Sequence, residues 1–259
     1  MEIVKFSANG AEVTGYLHGV HPTMVCHLRR PAIVICPGGA YEFLCEREAD
    51  PPAFAFFAKG YNVFILRYSV GADAAGYRPL RQLAEAVSTV RKNSAEWHIY
   101  PDRIAVMGFS AGGHLAASLG VLWHEKGLGL PEDCKPNAMI LSYPVLNLDE
   151  YSHEQSAQNV SGGDSAVRTQ LCLDLHVTPQ TVPAFIWHAA DDPGVPIEST
   201  ILMIRAMKRE GVPFECHIFE TGGHGISICN QESDSPRANC APWVQLCLTW
   251  LSTRFQFVD

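Results

Sequence analysis

From about residue 30 onward, short apolar runs alternate with stretches whose apolar residues recur every three or four positions. Pro31-Ala32-Ile33-Val34-Ile35-Cys36 is such a run, closed by Pro37-Gly38-Gly39, and predicts a buried strand entering a loop. Residues 61–66, 103–107, 138–143, 184–188 and 214–219 predict further strands, and residues 52–58, 111–125, 197–210 and 243–255 predict helices. Leu80, Leu83, Ala84, Val87 and Val90 mark another helix, amphipathic at near-helical spacing. Repeated strand–helix units predict an α/β fold, with a mostly parallel central sheet and helices on both faces.

Two features depart from this rhythm. Residues 4–6 and 13–17, split by Asn9-Gly10, predict an antiparallel hairpin at the sheet edge. Residues 145–180 are polar, contain Ser161-Gly162-Gly163-Asp164, and lie between two predicted strands. A connection of that length without a clear period predicts a cap or substrate loop over the carboxyl ends of the strands. No repeat, low-complexity tract or linker interrupts the chain, so residues 1–259 are expected to form one domain.

Composition narrows the function classes. A hydrophobic fraction of 47% with 18% charged residues suits a globular protein with a sizeable core. No segment approaches the roughly 18 consecutive apolar residues of a transmembrane helix. The first residues, MEIVKFSANG, carry no basic stretch followed by an apolar one, so no secretory signal is read and a cytoplasmic location is expected. Net charge is −8, and basic residues occur singly or in short pairs such as Arg29-Arg30, which argues against nucleic-acid binding. Nine cysteines are scattered without a C-x-x-C pair, the pattern of buried reduced thiols.

The chemistry is concentrated in Gly108-Phe109-Ser110-Ala111-Gly112-Gly113, which follows one predicted strand and opens a predicted helix. That is the context of a nucleophile elbow: a sharp turn that lifts a serine hydroxyl above the sheet, with small residues on either side. A serine needs a base, and the base an orienting carboxylate. His224, flanked by Gly223 and Gly225 after the last predicted strand, is the candidate base. Asp191 and Asp192 end another strand, and only Asp192 stands at Asp-x-x-Val-Pro spacing to Val195-Pro196. Asp192 is therefore the candidate acid, with Asp191 left as a turn cap or a solvent-facing neighbour. Donors for a tetrahedral oxyanion are expected from the backbone N–H of Ala111 and from Gly39 and Ala40 after the first buried strand.

Tyr41, Phe43 and Tyr143 are candidate pocket residues, and His153, in the cap-like segment, is a candidate substrate contact. His114, one helical turn past Ser110, is expected to pack beneath the elbow, and His188 to be a core histidine. The histidines show no metal-ligand spacing, and neither a metal nor a cofactor is expected.

Taken together, PGGAYEFLCEREADPPAFAFFAKGYNVFILRYSVG, PDRIAVMGFSAGGHLAASLG, LSYPV, LHVTPQTVPAFIWHAADDPGVP and GGHGIS resemble the bacterial α/β-hydrolases labelled carbohydrate esterase, acetyl xylan esterase or xylanase-like. These are related to the hormone-sensitive-lipase and dienelactone-hydrolase groups. The resemblance implies an α/β-hydrolase fold and a metal-free serine esterase for small acyl esters, with acetyl groups on oligosaccharides as the most specific form. It also implies Ser110, Asp192 and His224 as triad and the Gly39 region as oxyanion loop. One position departs: the family reads Pro-Gly-Gly-Gly-Tyr, and Ala40 replaces the third glycine. Alanine keeps the N–H donor, so the hole survives with a negative φ there, whereas a position that needs positive φ would disturb the donor geometry. A serine peptidase and a catalytically silent binding protein on the same scaffold are the rival readings.

Overall fold

The computed structural model describes residues 1–21, 23 and 28–257. Cys26 lies outside them. The chain opens with a hairpin, β1 (Glu2–Ala8) and β2 (Ala11–Leu17). Asn9 and Gly10 at its tip both take positive φ, the conformation a tight two-residue hairpin turn requires. Then follow β3 (Arg30–Cys36), α1 (Asp50–Phe57), β4 (Asn62–Arg67), α2 (Arg78–Lys92), β5 (Ile99–Phe109), α3 (Ala111–Leu122) and β6 (Ala138–Ser142). Two short helices, α4 (Glu154–Ser161) and α5 (Ser165–Gln170), precede β7 (Ala184–Ala189), α6 (Ile197–Arg209), β8 (Phe214–Phe219) and α7 (Trp243–Phe255).

The eight strands form one sheet in the order β1-β2-β4-β3-β5-β6-β7-β8. β1, β2 and β4 pair antiparallel, and every pair from β4 to β8 is parallel. This is an α/β-hydrolase fold.

The apolar runs have a direct cause in this arrangement. Successive side chains of a strand point to opposite faces, and both faces are covered. Ala32, Val34 and Cys36 pack in one core layer with Leu83, Leu115 and Met203 of α2, α3 and α6. Ile33 and Ile35 pack in the other with Phe56 of α1 and Trp243 and Leu251 of α7. The same alternation runs through Val106 and Met107, Met139 and Ile140, and Ile186 and Trp187. The few polar side chains buried among them, such as Asn62, His114 and His188, are hydrogen-bonded.

Residues 145–180 hold more order than their composition suggests. α4 begins at His153, whose side chain accepts from the Ser156 N–H, and α5 begins at Asp164, whose carboxylate accepts from Ala166 and Val167 N–H. Arg168 binds Glu154 through two 2.8 Å contacts and locks the two helices together. Among the described residues, no helix is long and apolar enough to cross a membrane.

Candidate active site

Ser110 sits between β5 and α3 at φ 53° and ψ −118°, a backbone conformation that costs on the order of 1–3 kcal/mol for a non-glycine residue. The elbow is closed tightly around it. A Cβ at Gly108 would lie 1.9 Å from the Gly112 carbonyl oxygen, and one at Gly112 would lie 2.1 Å from that of Cys36. Only glycine at these two positions lets β3, β5 and α3 meet so closely. The Ser110 N–H donates to Ser142 O at 3.0 Å, and its carbonyl accepts from His114 and Val145, so surrounding contacts hold the strain.

His224, on the loop after β8, reaches Ser110 Oγ with Nε2 at 2.8 Å and Asp192 Oδ2 with Nδ1 at 2.7 Å. An ionised carboxylate only accepts, so Nδ1 carries the proton and Nε2 is free to accept from the serine hydroxyl. Asp192 is enclosed: Oδ1 accepts from the Gly194 and Val195 N–H groups at 2.8 and 2.9 Å. Burial alone would push its carboxyl up. The hydrogen bonds from His188 and His224, the His224 charge and the Val195 N–H outweigh that and hold it well below the usual carboxylate range.

His188 is fully buried, as expected of a core histidine, but it is also wired to Asp192. Nε2 faces both Asp192 Oδ2 and Val195 O at 3.2 Å. Two acceptors fix the proton on Nε2, leaving Nδ1 to accept from Thr200 Oγ1 at 2.8 Å. The sequence gives no hint of this second contact. Asp191 is exposed, as a solvent-facing neighbour would be, and it does not cap the turn that follows it. Its Oδ1 accepts from Gly222 and Gly223 at 2.7 and 2.9 Å, gripping the loop that carries His224.

The loop after β3 has nearly all its polar atoms committed. Pro37 O accepts from the Tyr68 hydroxyl, Gly38 N–H donates to Glu48 Oε2, and Gly38 O accepts from Cys45 N–H. Gly39 O accepts from Glu42 and Phe43, Ala40 O from Asn159 Nδ2, and Tyr41 O from Gly71. The N–H groups of Gly39 and Ala40 have no acceptor among the described residues, and neither does that of Ala111 at the first turn of α3. The peptides here are trans, so with Gly39 O drawn into the turn at Glu42 and Phe43, the Ala40 N–H points away from that turn. Gly39 takes φ 123°, where a Cβ would meet Phe43 O at 2.2 Å. Ala40 takes φ 56°, the left-handed region rather than the negative φ that suits alanine, at a cost of about 1–2 kcal/mol.

A cleft of about 310 Å³ opens at this point, lined by Gly39, Ala40, Phe43, Glu48, Ser110, His153 and His224 among others. Phe43 is 55% exposed at its edge. His153 lines it too, and burial, then the His224 charge, hold its ring below the ordinary histidine value. Tyr41 and Tyr143 turn away from it and are enclosed. The Tyr41 hydroxyl meets His114 Nδ1 at 2.8 Å while His114 Nε2 donates to Leu171 O, and burial lowers the His114 pKa to about 4, so the ring is a neutral strut beneath the elbow. Tyr143 packs edge-on against the His224 ring with centroids 5.0 Å apart. Glu48 was not among the residues expected at the site. It is 2% exposed, and burial pushes its carboxyl above the ordinary value.

Residues 23–207 match the protein family described as BD-FAE, a span that includes Ser110 and Asp192 and stops short of His224. The chain is 31% identical to endo-1,4-beta-xylanase B of Butyrivibrio fibrisolvens over 83% of its own length and 36% of that protein. It is 32% identical to an acetylxylan esterase of Xylanibacter ruminicola over 79% of its length and 44% of the relative. It thus spans less than half the length of either. Its fold is also similar to the crystal structure of an acetyl ester-xyloside bifunctional hydrolase from Caldicellulosiruptor lactoaceticus. That likeness has a TM-score of 0.84 and 32% identity, and covers 96% of this chain and 89% of the other. With more than half of its residues matched, the chain belongs to the BD-FAE family, among the bacterial α/β-hydrolase esterases related to acetylxylan esterases.

Proposed function

We propose that this chain is a serine carboxylic-ester hydrolase for small acyl esters, with acetyl groups on oligosaccharides as its substrate class. The observation that carries the reading is the hydrogen-bonded line from Ser110 through His224 to Asp192, opening on a cleft beside three backbone N–H groups that have no acceptor among the described residues. Ser110 Oγ attacks the ester carbonyl as His224 Nε2 takes its proton. Negative charge develops on the former carbonyl oxygen, and the N–H groups of Gly39, Ala40 and Ala111 receive it. The intermediate collapses to an acyl-serine, and His224 returns the proton to the departing alcohol. Water, deprotonated by the same nitrogen, then releases the acid. Asp192 stays ionised and steadies the imidazolium in both halves.

The size of the cleft and the acetyl-ester names borne by relatives support a small acyl group. In this reading residues 145–180 roof the site of one hydrolase unit spanning 1–259. The eight described cysteines are free, which supports a reducing, cytoplasmic setting.

Initial rates on p-nitrophenyl esters of increasing chain length, on acetylated xylo-oligosaccharides and on an aminoacyl p-nitroanilide test the proposal. Acetate release is expected from the acetyl substrates, unchanged by EDTA and absent in Ser110→Ala. Anilide hydrolysis without ester hydrolysis would point to a peptidase, and EDTA-sensitive turnover restored by a divalent metal would sink the metal-free mechanism.

A further inference from the structure

Ala40 and Tyr41 are Cβ-bearing residues at φ 56° and 57° in the loop after β3, and the Ala40 N–H faces no acceptor among the described residues. The Ala40 carbonyl does have a partner, and that partner comes from the cap. Asn159, in the last turns of α4, donates Nδ2 to Ala40 O at 2.9 Å across 119 residues of sequence. The amide is oriented for this job, because Asn159 Oδ1 accepts from Gln155 Nε2 at 3.1 Å one turn earlier on the same helix. The helix is itself held on both sides. Glu154 is clamped by Arg168 of α5, and Gly162, just past the helix end, abuts Ala75. The segment before Ala75 supplies the Gly71 N–H that holds Tyr41 O. Two neighbouring carbonyls of the loop, at 40 and 41, are thus pinned from one side of the cleft. His153, at the start of α4, lines that cleft as well.

We propose that Asn159 is a positioning residue for the oxyanion loop, holding Ala40 in the left-handed conformation and so coupling the seating of the cap to transition-state binding. A donor to Ala40 O restrains ψ of residue 40, and hence the plane of the peptide between Ala40 and Tyr41. Glycine would adopt this conformation unaided, whereas alanine needs the restraint. Asn159 touches no reacting atom; it acts through Ala40. The inference rests on the esterase reading for its kinetic consequence and on geometry alone for its structural one.

Asn159→Ala, Asn159→Asp and both in an Ala40→Gly background test it, with thermal melts confirming the fold. With Ala40 present, loss of the donor is expected to lower kcat about 10-fold or more with KM changed less than about 3-fold, since only a group acting in the transition state is displaced. Affinity for a boronic acid that forms the tetrahedral adduct should fall in parallel. Asp at 159 keeps the shape but not the donor, so it should be no better than Ala. In the Ala40→Gly background the same changes should cost less than about 3-fold. Hydrogen exchange of the peptide spanning 37–43 should accelerate in Asn159→Ala with Ala40 present. Active wild type with unchanged kcat, adduct affinity and exchange in Asn159→Ala overturns the coupling, and so does an equal loss in both backgrounds. A wild type that hydrolyses no ester, yet shows faster exchange in Asn159→Ala, overturns the esterase reading and supports the restraint.

Discussion

The Tyr143 hydroxyl donates to Glu48 Oε1 at 2.6 Å, in a position sealed from solvent, and accepts from the Ser227 N–H at 2.8 Å. Glu48 Oε2 accepts from Gly38 at 2.8 Å. One buried carboxyl and one buried phenol therefore connect the loop carrying Gly39 and Ala40 with the loop that follows His224. Tyr143→Phe keeps the ring against His224 but strands the Ser227 N–H and one Glu48 oxygen. It should cost about 1–3 kcal/mol of stability, the usual penalty for buried groups left unpaired. It should also couple strongly with Glu48→Gln, the double variant costing clearly less than the two single changes added together. Urea unfolding of the three variants measures this, and strict additivity would show that the bridge is not a unit.

The same carboxyl predicts a pH dependence. Burial raises the Glu48 pKa above its ordinary 4.5, so the folded state binds a proton that the unfolded state has already released. Stability contributed this way is complete below 4.5 and declines as pH rises through the raised value. Asp192 acts in the opposite sense. Its pKa is lowered, so its contribution is present above 3.8 and is lost as pH falls through the lowered value. Glu48→Gln should flatten the decline above 4.5 and leave the acid limb in place, as read from unfolding midpoints across that range. A Glu48→Gln protein with the wild-type slope above 4.5 would show that the carboxyl carries no such shift.

How much of this was legible in the sequence follows from which contacts are local. Strands such as Ala32 to Cys36 are buried on both faces, so their composition alone announces a covered parallel sheet. The elbow is equally local, since Gly108, Ser110 and Gly112 meet within one turn. Glu48 was not legible, because Glu-Arg-Glu in a polar stretch reads as solvated loop. Its burial is imposed by Gly38 and Tyr143, 10 and 95 residues away. Tyr41 and Tyr143 were expected at the pocket, yet both are enclosed, their hydroxyls drawn to His114 and Glu48, 73 and 95 residues away. α4 carries no familiar start signal, because its N-cap is His153, an unusual choice for that position.

Asp191 and Asp192 are adjacent and both serve His224, by different means. Asp192 accepts from the imidazole, whereas Asp191 holds the loop through Gly222 and Gly223. Asp192→Asn should lose about 10³–10⁴-fold in kcat by stabilising the wrong tautomer. Asp191→Asn keeps an acceptor oxygen and should lose little. Asp191→Ala keeps none, and the displaced histidine should cost about 10-fold in kcat. Finding Asp191→Asn as damaging as Asp192→Asn would move the orienting carboxylate to Asp191.

Ser110 gives the sharpest opposition between stability and chemistry. At φ 53° and ψ −118° any side chain is strained, and the Cβ is the source. Ala and Gly at 110 both lack the hydroxyl and should both abolish turnover, so activity cannot distinguish them, but stability can. At an ordinary site glycine is less stable than alanine by roughly 0.5–1 kcal/mol, because the unfolded chain gains freedom. Here relief of strain should outweigh that entropy and leave Ser110→Gly more stable than Ser110→Ala by about 1 kcal/mol. For a chain of this size that separates the two melting temperatures by about 2–4 °C, with glycine the higher. Paired calorimetric melts decide the matter. Alanine melting higher would mean that the elbow relaxes once the hydroxyl is gone, and that the strain belongs to the serine's contacts rather than to its backbone.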